Sequence, residues 1–239
     1  MEPVTIKMLL EAGAHFGHPR KGTHPTMRKF IFTQRNGIFI IDLEQTVELL
    51  QKAREFARDV AARGDLILFV GTKRQAQESI EQEAKRCGMP YVNQRWLGGT
   101  LTNFSVIRSR ALYLKHLKQQ KEAGGFAELP KKEAMKLEKK LARLERLFGG
   151  IEDMDRLPGA VFITDTVREK NAIAEARKMK IPIIAIADTD CDLRKVDYPI
   201  PANDDAVKSL KLIISAIADA IIEGKESRAS AGEGAEETE

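Results

Sequence analysis

The residues most able to do chemistry fall in a few short clusters. Val70-Gly71-Thr72-Lys73 ends an apolar run and opens a polar one, which brings backbone N–H groups and a lysine to a place where a phosphate can bind. The segment lacks both the spaced glycines of a dinucleotide loop and the GxxxxGK[ST] of a P-loop, so it reads as a tight turn able to touch an RNA phosphate. Asp188, Asp190 and Asp192 begin like a calcium loop, but Leu193 and Pro199 stand where such a loop needs its glycine and its last glutamate. Calcium is set aside, and a weak, hydrated magnesium contact beside a strand end stays open.

His15 and His18 have ligand-like spacing with His24 nearby, yet no carboxylate or cysteine lies between them, which makes a poor zinc site. Cys87 and Cys191 are far apart, without a CxxC or Cys/His grouping, as expected of ordinary reduced thiols. No Ser/His/Asp or Cys/His arrangement has local support. The expectation is no catalytic residue, no cofactor, no metal ligand and no small-molecule substrate. Gln94-Arg95-Trp96-Leu97-Gly98-Gly99 joins a cation, the chain's single indole and two glycines, and it reads either as an RNA contact or as a packed loop anchored by Trp96.

Charge gives the stronger signal. The net charge of +4 over 239 residues divides into +4 for 1–104, +7 for 105–150, −4 for 151–223 and −3 for 224–239, so the positive charge concentrates in one middle segment. That segment holds Arg108, Arg110, Lys132, Lys136, Lys139, Lys140 and Arg143. A second acid-free strip, 15–41, carries Arg20, Lys21, Arg28, Lys29 and Arg35. Two separate basic, acid-poor stretches on one small domain point to phosphate contacts, the source of most sequence-independent affinity for nucleic acid. With Lys73, Arg74, Arg95 and Trp96 these cations form the predicted RNA-binding set.

The elements that must position these residues follow from periodicity. Apolar residues at helical spacing over 44–63, stopped by Gly64, precede the buried run LILFVG. The pattern repeats as helix 74–87, strand 89–92, strand 160–164, helix 169–179, strand 183–187, an edge piece 198–201 and helix 206–222. Alternation of this kind gives a doubly wound α/β domain with a mostly parallel sheet. Arg35-Asn36-Gly37 between two apolar runs reads as a β-hairpin turn. In the middle segment Leu137, Leu141, Leu144 and Phe148 step as the seam of a helix paired with one neighbour, which carries Ile107, Ala111 and Leu114. The expected organisation is an N-terminal segment with a hairpin (1–43), an α/β domain (44–100 and 151–223), an inserted coiled-coil hairpin (101–150) and a disordered acidic tail (224–239). No run reaches the ~18 apolar residues of a membrane span, and the N-terminus lacks a secretory signal, so a cytoplasmic location is expected.

The stretch YVNQRWLGGTLTNF over 91–104 resembles the hallmark of the bacterial family of small-subunit ribosomal protein two. His15-Phe16-Gly17-His18, Arg35-Asn36-Gly37-Ile38 with Ile40-Ile41-Asp42-Leu43, Phe69 to Lys73 with Gln75-Ala76, Ala187-Asp188-Thr189, Val196-Asp197-Tyr198, and Ile200-Pro201 followed by Asn203 to Ala206 fall in that family's order, over about 4–222. The resemblance implies a flavodoxin-like three-layer body with a projecting coiled-coil hairpin, seated on small-subunit rRNA among other small-subunit proteins and supporting recruitment of the RNA-binding protein S-one, with no reaction of its own. The chain departs from the pattern at Lys21-Gly22-Thr23-His24-Pro25, where an aromatic is lost, and at Thr166, Leu193 and Ala202. Two other readings remain: a Rossmann-like nucleotide-binding enzyme using 71–73 for phosphate and the Asp188 cluster for metal, and a scaffold whose arm grips partner helices.

Overall fold

A computed structural model describes residues 3–19, 22–127 and 129–236, with side chains described as far as 230. Its central sheet runs through β4 (Ile67–Val70), β5 (Tyr91–Val92), β6 (Ala160–Ile163), β7 (Ile183–Ala187) and β8 (Tyr198–Pro201). All are parallel, in the order β5-β4-β6-β7-β8. The second strand in the chain thus sits outside the first, and the rest follow in turn, which is the flavodoxin-like winding.

These strands are apolar throughout because both faces are covered. Ile67 and Phe69 of β4 point to one side and Leu68 and Val70 to the other. On the first side pack α1 (Ile6–Glu11), α2 (Leu43–Ala62), α3 (Arg74–Cys87) and α7 (Val207–Glu236). On the second lies α6 (Lys170–Lys178), together with the base of a helical hairpin formed by α4 (Phe104–Glu122) and α5 (Lys131–Phe148).

Local chemistry sets where each helix begins and ends. Asp42 caps α2 by accepting the Glu44 N–H at 3.0 Å, and buried Leu50, Ala53, Ala57 and Val60 then recur every three or four residues. Gly88 ends α3 in the left-handed conformation, at φ +61°. At the start of α7, Asn203 Oδ1 accepts from the N–H groups of Asp205 (2.8 Å) and Ala206 (3.2 Å).

The N-terminal sheet has one strand more than the sequence reading gave it. The N-terminal hairpin of β2 (Ile31–Arg35) and β3 (Ile38–Ile41), turned by Asn36 and Gly37 at φ +50° and +81°, gains a third strand. That strand, β1 (Phe16–Pro19), pairs antiparallel with β3. Its glycine and proline hide any alternation, and the pairing depends on tertiary contact: a Cβ on Gly17 would lie 2.5 Å from Thr189 Cγ2. At the other end of the chain α7 runs to Glu236, and 237–239 of the tail lie outside the described residues. Gly224 does not stop it, because glycine is what lets α7 approach α2; a Cβ there would fall 2.3 Å from the Arg58 carbonyl oxygen. One residue on, Lys225 Nζ donates to the carbonyls of Cys87 (2.6 Å) and Gly88 (3.1 Å), closing the end of α3.

The hairpin of α4 and α5 buries Ile107, Ala111, Leu114 and Leu117 of α4 against the partly buried Leu137, Leu141 and Leu144 of α5. Its return root is tight: a Cβ on Gly150 would lie 2.2 Å from the Tyr91 carbonyl oxygen. Gly150→Ala should therefore cost ~1–3 kcal/mol or more. Gly124→Ala, at the open tip with φ +80°, should cost about 1 kcal/mol. Urea denaturation of the two variants checks this order.

Candidate nucleic-acid interface

The loop that launches α4 is held by one carboxylate. Glu175, on the outward-facing side of α6, accepts from Trp96 Nε1 (3.0 Å), from the N–H groups of Gly99 (2.8 Å), Leu101 (3.0 Å) and Thr102 (3.1 Å), and from Thr102 Oγ1 (3.0 Å). Burial pushes its pKa up, but these donors outweigh burial and hold it below the ordinary glutamate value. Trp96 is only 9% exposed. The ring is packed and its one donor is spent, which is the packed-loop alternative for this segment. Sequence reasoning missed Glu175, which lies about eighty residues away and whose helical spacing gives no sign of the pairing.

Beyond that root, the arm's cations differ in what they meet. Lys115 pairs with Asp153 (3.0 Å) and Lys118 with Glu145 (2.8 Å). Lys140 Nζ donates to Tyr113 Oη at 2.7 Å and sits 4.6 Å above its ring. Arg108, Arg110, Lys132, Lys136, Lys139 and Arg143 are exposed and have no acidic partner among the described residues. The last four recur in steps of four, three and four residues, so they form one stripe along α5. At helical pitch the stripe lies roughly opposite the seam residues Leu137, Leu141 and Leu144 and extends over about 17 Å. A row of unpaired cations turned away from α4 can neutralise phosphates along a nucleic-acid backbone.

In the N-terminal strip, Arg28 and Lys29 are exposed on a 3-10 turn over Pro25–Phe30, and Arg35 is exposed at the end of β2. None has an acidic partner among the described residues. Arg20 and Lys21 lie outside the described residues. Arg74 and Arg95 are exposed as well, near the two ends of α3 and its following strand.

Lys73 faces three carboxylates. Its ammonium lies 2.6 Å from Asp204 Oδ1, 2.6 Å from Asp205 Oδ1 and 3.4 Å from Asp165 Oδ2. Burial draws the lysine pKa down, yet the hydrogen bonds to Asp204 and Asp205 raise it above its ordinary value. The turn's own N–H is also used, since Thr72 N donates to Glu169 at 2.8 Å. Gly71 packs against Ile80 and Thr164 instead of leaving an open cradle. A phosphate arriving here would meet carboxylates, so the phosphate role of Lys73 and the nucleotide-enzyme reading lose their geometry.

Of the carboxylates read together in the sequence, Asp190 and Asp192 line one cavity and Asp188 turns away from them. Asp192 turns to Arg194 (2.8 Å) and Lys195 (3.4 Å). Asp188 instead faces His18, with Nδ1 2.9 Å from Oδ1. His18, Asp188 and Asp204 each offer a donor atom within 4.8 Å of the others, a set able to take a divalent cation if Lys73 yields Asp204. The Asp188 carboxylate close to the ring, opposed by burial, raises the His18 pKa to about 9. Burial, with the charges of Asp165 and Asp188, raises that of Asp204 to about 7.

The partners of Glu175 and His18 set two measurable expectations. Glu175→Ala leaves several donors without an acceptor and should lower unfolding stability by ~2–4 kcal/mol, read by urea denaturation. A His18 pKa raised from 6.5 to about 9 means the folded state holds a proton the unfolded state has lost. Its contribution is therefore full below pH 6.5 and disappears as pH rises through about 9. His18→Gln should flatten that fall by on the order of 1 kcal/mol, screening included, in denaturation series across the alkaline range.

The chain matches the family described as ribosomal protein S2 over residues 9–224. It is 54% identical over 232 residues to a small ribosomal subunit protein uS2 of Mycolicibacterium vanbaalenii, covering 97% of this chain and 85% of that protein. The match spans the parallel sheet, the Glu175-held loop and the whole arm, and on that ground the chain belongs to the ribosomal protein S2 family.

Proposed function

We propose that the chain holds small-subunit rRNA through the cation stripe of α5 and the exposed cations of the N-terminal strip. Membership in the S2 family makes it a structural ribosomal protein and not an enzyme. It acts by binding and shape, in the cytoplasmic small ribosomal subunit and alongside other small-subunit proteins. Recruitment of S-one is part of this reading and rests on the family resemblance alone.

The single observation that carries the RNA contact is the row Lys132, Lys136, Lys139 and Arg143, exposed and without acidic partners among the described residues. Ordinary solubility needs no such row, and a helix-gripping arm would present apolar residues where these cations stand. Phosphate contacts position a protein on RNA without reading sequence, which suits a component whose site is defined by folded rRNA.

Reversing the four cations to glutamate should remove the chain from the small-subunit fraction of a sucrose gradient while its circular dichroism stays unchanged. In binding to an rRNA fragment, the slope of log affinity against log salt should fall by roughly 0.9 for each phosphate that is no longer neutralised. An unchanged slope, or unchanged cosedimentation, would sink the assignment of the stripe to RNA.

A further inference from the structure

A cavity of about 580 Å³ opens beside α6, away from the arm stripe, and this volume is typical of small-molecule sites. Val167 gives it an exposed apolar wall with the nearly buried Ile173 behind it, and Lys170, Arg177 and Lys195 bring three cations to it, of which Lys195 is already held at 3.4 Å by Asp192 on the same lining. Lys170 has no acidic partner among the described residues. Arg177 spends one N–H on the Arg194 carbonyl, at 2.9 Å, and keeps the rest of its fork. The cavity also holds an acceptor with nothing to accept: Asp190 Oδ1 is buried and has no hydrogen-bond partner among the described residues. A buried oxygen in that state is costly unless a donor arrives.

We propose that this cavity takes one unstacked ribonucleotide whose base carries an amine, that is, adenine, cytosine or guanine. The phosphate lies against Lys170 and Arg177, the base rests on Val167, and the amine donates to Asp190. Cations alone would suit any polyanion; the acceptor makes the difference. An acidic peptide would set further carboxylates against Asp190, whereas a nucleotide is anionic at one end and offers donors at the other. The RNA source rests on the function proposed above; a free mononucleotide shares the chemistry.

The test is methyl NMR of the full chain, titrated with cytidine monophosphate, uridine monophosphate, a short single-stranded RNA and an oligoglutamate peptide. The Val167 and Ile173 methyls should shift with the RNA and with the cytidine nucleotide, and several-fold more weakly with the uridine one. Lys170→Glu with Arg177→Glu should weaken binding by about tenfold or more. Asp190→Asn should abolish the preference for cytidine, because an amide can donate to the uracil O4. Methyls unmoved by every nucleotide, or moved equally by oligoglutamate, would overturn the proposal, and a response to mononucleotide without RNA would overturn its link to RNA. The four-residue arm reversal should leave these shifts intact, so failure here and failure of the arm contact are separately visible.

Discussion

The carboxylate of Glu175 is the point through which the arm is joined to the body. Glu175 belongs to α6, which lies on the sheet through Ala172, Ile173 and Ala176. It gathers the donors of Trp96, Gly99, Leu101 and Thr102 immediately before α4 begins. The direction of α4 therefore depends on a helix fixed to the sheet. On the return side Gly150, pressed on the Tyr91 carbonyl, fixes α5 to the same edge. Small displacements at these two roots become large ones at the tip, so rigidity here decides where the cation stripe points.

The same economy of partners explains how charge is arranged. At the carboxyl end of the sheet, Asp165, Asp188, Asp204 and Asp205 are met by Lys73 and His18 within the body. That spends a lysine which sequence position alone would offer to a phosphate. On the arm, by contrast, acids are too few to match the lysines and arginines, and those left over share the face turned from α4. The attraction for a polyanion is thus set by which cations lack partners, more than by the small net charge.

Glycines without any turn make the close approaches that bring distant segments together. Gly17 lets β1 lie on Thr189, which places His18 against Asp188. Gly224 lets α7 close on α2, and Lys225 then reaches the end of α3. In each case the missing side chain is needed for contact between segments far apart in the sequence.

The sequence by itself determined the α/β alternation, the Asn36-Gly37 hairpin and the seam of the arm, because periodicity and turn chemistry are local. It also located the cations, since charge requires no fold to be counted. Tertiary structure decided which of them are available. Lys73 and Trp96 carry the right residue types for RNA but are consumed by Asp204 and Glu175, partners more than seventy residues away. Asp188, Asp190 and Asp192 look like one site because they are adjacent, yet the chain turns Asp188 towards His18 while Asp190 and Asp192 line the α6 cavity, where Asp192 is held by Arg194. Local pattern fixes what a segment can form, whereas burial and hydrogen-bond partnership, which settle what a side chain can still do, exist only once the chain has folded.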